Sequence, residues 1–262
     1  MLRLAHHRRT AIVVTVHNLT PHESLPRGAR RCLKALDRSI DRWILLNGSE
    51  TLPLPAERVS VIPHGSYRSL IAHRVFPAPH PEALLYFGVI RAYKNVPQLV
   101  RAYAQTSLSD EAVTLRVIGA PWDEDQRQAV ESAVQDARAT ASFRLEALRE
   151  TELHREILDA GLIVLPYRRM YNSGAVILAL SLDRPVLVPD CAATRELQRE
   201  FGETWVITYS GDLDAATLED GYRRYLAGAP ARRPLGLGDR DWAVLGLRYV
   251  EVYESAISDR LA

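Results

Sequence analysis

Apolar residues run along this chain in short unbroken blocks, separated by segments of helical period. The first block, residues 11–16 (AIVVTV), is apolar or β-branched throughout, the pattern of a strand covered on both faces of a parallel sheet. Residues 30–40 set Leu33, Leu36 and Ile40 at helical spacing, and residues 43–46 and 59–62 read as two more strands, the second closed by Pro63, His64 and Gly65. A Pro- and His-rich stretch, residues 74–81 (RVFPAPHP), reads as a linker. From residue 83 the alternation is regular: ALLYFGV, a helix from Val96, VTLRVIG, a helix over 124–139, a short strand near Phe143, and a helix over 152–160. It continues with GLIVLP, a helix from Ala175, PVLVP, a helix from Thr194, and TWVIT. In a last helix over 241–257, Leu245, Tyr249, Tyr253 and Ile257 recur every four residues, which predicts that this stripe packs inward.

Strands alternating with helices predict an α/β fold on doubly wound parallel sheet, with right-handed crossovers. Residues 1–75 form a partial first Rossmann-like unit, 76–240 a complete second one, and 241–262 a helix able to cross back to the first. Ligands of such sheets bind beyond the carboxyl ends of the strands, so the chemistry belongs to the residues directly after each strand.

Charge narrows the partners. Lysine and arginine number 33 against 32 acids, so no global field draws the chain to nucleic acid or an anionic bilayer. Cys32 and Cys191 lie too far apart for a metal-ligand pair and point to a reducing compartment. The first apolar run is far shorter than the ~20 residues that span a bilayer. Neither a signal peptide nor a membrane span is expected, and the residence inferred is cytoplasmic, with room for peripheral association at the inner face of the membrane.

Three strand ends carry candidate chemistry. After ALLYFGV, Gly88 allows a tight turn, Arg91 and Lys94 place two cations three residues apart, and a helix with Pro97 in its first turn follows; together these suit a diphosphate. After GLIVLP, the segment from Tyr167 to Asn172 leads into Ser173, a good N-cap, and Gly174, whose small size opens first-turn amides to an anionic oxygen. After AIVVTV comes His17, which can serve as a base near neutral pH, then a polar loop with His22 and Glu23.

The stretches TVHNLTPHE, VIPHGSY, LLYFGVIRAYKNVPQLVRAYA and YNSGAVILALSLDRPVLVPD, in that order, resemble glycosyltransferase family 4-like enzymes of the GT-B type, notably bacterial exopolysaccharide and glycolipid sugar transferases. The resemblance implies two Rossmann-like domains and metal-independent transfer of a hexose from a GDP- or UDP-sugar to a glycan or lipid-linked acceptor, with no cofactor. It matches Arg91 and Lys94, beside Gly88, to the cations on the donor diphosphate, and Asn172, Ser173 and Gly174 to the loop holding donor phosphate or sugar. His17 is matched to the histidine near the transferred sugar, with His22, Glu23 and His64 on the acceptor side. Residues 143–148 and Glu152 match the nucleobase region, and the resemblance leans to retention of configuration.

The chain departs from the family pattern at two places. Aligned through Arg184-Pro185-Val186, the family's pair of glutamates falls on Met170 and Leu178. The first half also reads as shortened, which predicts uncovered apolar surface along AIVVTV and either self-association or a partner chain completing that half. An NAD oxidoreductase is disfavoured because no G-x-G-x-x-G follows a strand, and a nucleotide-sugar epimerase because paired acids are not evident. The main alternative is a non-catalytic or split subunit that binds a nucleotide sugar and needs a partner chain.

Overall fold

The computed structural model describes residues 10–17, 39–49, 52, 54–71, 78–137 and 141–261. His22, Glu23 and residues 30–38 of the expected first helix lie outside the described residues. The chain divides into two compact units, Met1–Ser66 with Leu237–Ala262, and Tyr67–Gly236.

In unit 1, strands β1 (Val13–Val16), β2 (Arg42–Leu45) and β3 (Val59–Val61) pair in parallel in that order, with Trp43 of β2 opposite both Val14 and Val59.

Unit 2 is a parallel sheet of β4 (His80–Phe87), β5 (Thr114–Ile118), β6 (Ser142–Arg144), β7 (Ala160–Val164), β8 (Val186–Pro189) and β9 (Val206–Tyr209). Its helices are α1 (Val96–Ala104), α2 (Glu124–Ala137), α3 (Glu150–Asp159), α4 (Gly174–Ser181), α5 (Ala192–Phe201) and α6 (Ala215–Gly228). The strand order is β6-β5-β4-β7-β8-β9. From β4 the chain therefore winds to one edge through β5 and β6, then returns to β7 on the other side of β4. The loops leaving β4 and β7 diverge there, and that crevice is where an open α/β sheet takes its ligand. The unbroken apolar blocks have a simple cause: Leu84, Leu85, Leu162 and Ile163 are fully buried. Each contributes about 1.5–3 kcal/mol relative to exposure, an incentive that alternating polar positions would forfeit.

The chain returns to unit 1 through α7 (Trp242–Leu261). Leu245 and Val252 pack with Ile44 and Ile62, and Val13 and Tyr249 join them. Arg42 pairs with Asp259, Arg260 and Asp41 form an ion pair at 2.9 Å, and the Trp242 indole N–H donates to the Ser66 carbonyl at 2.9 Å. The inward face is thus Leu245, Tyr249, Val252 and Ala256, while Tyr253 and Ile257 are exposed. The expected stripe was wrong at its second half because a strict four-residue step drifts by about 40° each time on a helix of 3.6 residues per turn. Along β1, Val16 is buried and Val13 packs into the core. Among the described residues of this unit, the more exposed apolar side chains lie on α7, at Leu247, Ile257 and Leu261. Among the described residues, no helix is long and apolar enough to cross a membrane.

Candidate functional site

The loops after β4 and β5 are zipped together before any side chain is considered. Gly88 has φ 110°, and Gly119, with φ 155°, approaches it so closely that a Cβ there would stand 2.1 Å from the Gly88 carbonyl oxygen. Gly88 N–H donates to Ile118 O at 3.0 Å, Ile90 N–H to Ala120 O at 2.9 Å, and Trp122 N–H to Ile90 O at 2.9 Å. Beyond this zipper a 3₁₀ turn over Ala92–Lys94 leads to Asn95, at φ 55°, which begins α1 without a side-chain cap. Across the switch point, Arg168 N–H donates to Tyr93 O at 2.8 Å, tying the β7 loop to the β4 loop.

Both cations of the β4 loop rest on aromatic rings. The Arg91 guanidinium carbon lies 3.6 Å from the centroid of the Trp122 ring, and Lys94 Nζ lies 5.3 Å from that of Tyr167. Tyr93 meets Tyr167 edge to face at 5.9 Å. Burial, and secondarily the charge of Arg91, pulls the Lys94 ammonium down to about 8. Burial raises the hydroxyls of Tyr86 and Tyr167, so both stay neutral. Lys94 has no acidic partner among the described residues. Two like charges in a half-buried setting favour an anion that bridges them.

On the β7 side, Ser173 caps α4, its hydroxyl accepting from Val176 N–H at 3.4 Å and also bonded to the Tyr167 hydroxyl. Asn172, Ser173 and Gly174 are each half-buried. Gly88, Arg91, Lys94, Asn172, Ser173 and Gly174 therefore gather beyond two neighbouring strands. Sequence reasoning missed Trp122 and the site roles of Tyr93 and Tyr167. An aromatic in the otherwise polar segment APWDEDQ was the available signal for Trp122. Where the family has its glutamates, Met170 is buried and Leu178 half-buried.

Glu152 stands elsewhere. Its carboxylate accepts from Arg144 Nη1 at 2.8 Å, at the end of edge strand β6, two strand spacings or roughly 10 Å from β4. In unit 1, His17 follows β1 and is exposed, while His64 lies beyond β3. His64 Nδ1–H donates to the Gly65 carbonyl at 2.8 Å. Burial lowers the His64 pKa; that hydrogen bond opposes the shift, and the charges of Arg240 and His17 add to it. Among the described residues, no three His, Cys, Asp or Glu side chains cluster as metal ligands.

No family model matches the chain. Sucrose-phosphate synthase from Thermosynechococcus elongatus shares its fold, with a TM-score of 0.72 over 95% of this chain and 69% of that one, at 18% identity. So does Anabaena HepE, solved in complex with UDP, with a TM-score of 0.66 over 99% of this chain and 74% of that one, at 14% identity. In sequence, the chain is 37% identical over 249 residues to the GDP-mannose:glycolipid 4-beta-D-mannosyltransferase of Xanthomonas campestris pv. campestris, a match covering 95% of this chain and 69% of that protein. The chain belongs to the GT-B glycosyltransferases. The oxidoreductase and epimerase readings fall with that membership. For a GT-B glycosyltransferase, the parallel sheets and alternating helices are the architecture that the apolar blocks predicted.

Proposed function

We propose that this glycosyltransferase transfers mannose from GDP-mannose to a hydroxyl of a lipid-linked glycan, and that it does so without a metal. One observation carries the reading: two cations seated on aromatic rings at the switch point of a doubly wound sheet. Such a pair meets the charge that develops on a departing nucleoside diphosphate, and the N-terminal ends of α1 and α4 add oriented amides. The guanine base, the mannose and the glycolipid are supported by the activity for which the Xanthomonas relatives are named. In GDP-mannose the sugar is α-linked, so a β-product requires inversion and a base on the acceptor hydroxyl. This departs from the retention that the sequence resemblance favoured. His17 is assigned that proton transfer, and His64, held neutral by burial, the positioning of the acceptor. An acceptor of this kind places the protein at the membrane surface.

Replacement of the family's glutamates by Met170 and Leu178 favours a second reading, donor binding without transfer. One experiment separates the two: the purified chain is given GDP-mannose or a UDP-hexose and a detergent-solubilised lipid-linked glycan, with and without EDTA, while nucleotide binding is followed by calorimetry. GDP should bind more tightly than UDP, mannose transfer should be unaffected by EDTA, and His17→Ala should lose turnover at unchanged GDP affinity. Binding without transfer would select the second reading. Preference for UDP, or metal-dependent transfer, would overturn the first.

A further inference from the structure

We propose that Trp122 is a positioning residue for the donor diphosphate, its indole face restraining the Arg91 guanidinium that meets phosphate; the inference rests on the donor-site reading above. Trp122 is 58% exposed, so core packing does not account for a ring of this size at the surface. Its backbone is nevertheless fixed on both sides. Its N–H is committed to Ile90 O, and the next residue, Asp123, accepts from Gln126 N–H at 2.9 Å at the start of α2. The direction of the indole is thus set by the zipper between the β4 and β5 loops, the same zipper that carries Arg91.

The geometry of the stack gives it a purpose. The Arg91 guanidinium carbon lies over the Trp122 ring at 3.6 Å from its centroid, the distance of van der Waals contact with the indole face. Stacking does not consume the N–H donors on the edge of the group, which are the ones that grip a phosphate bidentately. A carboxylate in place of the ring would occupy those donors and cancel the charge. An unsupported arginine would instead lose the rotamer freedom of a long side chain on binding. The indole restrains Arg91 in advance of binding.

The test is a double-mutant cycle on GDP affinity, measured by calorimetry with R91A, W122L, W122F and the R91A/W122L pair. Trp122→Leu keeps apolar bulk without the ring face, and Trp122→Phe keeps a smaller ring. W122L is expected to weaken GDP roughly three- to fivefold, the size of an exposed cation–π contact, while W122F recovers most of the affinity. In the R91A background, W122L should add nothing, and thermal unfolding of W122L should match the wild type. If R91A itself leaves GDP affinity unchanged, the donor-site reading fails. If R91A weakens binding but W122L does not, or if W122L weakens it equally in the R91A background, the role of Trp122 is overturned and the donor site stands.

Discussion

The carboxyl ends of β4 and β6 both present cations, in opposite circumstances. Beyond β4, Arg91 and Lys94 rest on the rings of Trp122 and Tyr167. At the end of β6, Arg144 is met by the carboxylates of Glu152, Glu146 and Glu156 at 2.8, 3.0 and 3.5 Å. A ring restrains a cation without neutralising it, whereas carboxylates do both. Lys94, with no acidic partner among the described residues, thus keeps its charge where β4 and β7 part, the place where the topology receives a ligand, whereas that of Arg144 is cancelled at the sheet edge.

The largest effect should come from removing the ring-held cations together. A charge-assisted contact contributes about 1.5–3 kcal/mol, so R91A/K94A should weaken GDP by at least about 100-fold in calorimetry. A change of a few-fold would mean that the two ends of the sheet do not differ as supposed. A smaller effect is expected from pH. Lys94 titrates at about 8 in the ligand-free protein, and a bound diphosphate favours its charged form. GDP affinity should then be level from about pH 7, above the second ionisation of the terminal phosphate, and fall as pH rises through 8, because binding must supply the missing proton. In Lys94→Arg this fall should vanish; its persistence there would assign the titration to another group. The smallest effect should follow Glu152→Gln, since Arg144 already engages that carboxylate. GDP affinity within about twofold of wild type would be in line with that pairing. A large loss would show that Glu152 turns from Arg144 to the nucleotide, and would place the base over the ends of β5 and β6.

Much of this was legible in the chain. Unbroken apolar blocks marked the strands because parallel strands are covered on both faces, and Arg91 and Lys94 stood out because they directly follow ALLYFGV. The supporting rings did not stand out. Trp122 lies 31 positions after Arg91 in sequence and meets it through the β4–β5 zipper, which depends on Gly119 tolerating a backbone approach that periodicity does not encode. Tyr167 was read only as the start of the loop after GLIVLP, and its use as the seat of Lys94 is a tertiary fact. Glu152 was matched to the nucleobase region from its position alone; its pairing with Arg144 arises because the first turn of α3 folds back on the end of β6. The buried face of α7 needed the 3.6-residue period carried over its full length, which separates Val252 and Ala256 from Tyr253 and Ile257.

A crystal structure of the protein with GDP shows most directly where a nucleoside diphosphate binds. The prediction is a diphosphate between the loops after β4 and β7, with its oxygens about 3 Å from the Arg91 guanidinium and the Lys94 ammonium. Density for the diphosphate at Arg144 on the β6 edge, or on unit 1, would contradict it.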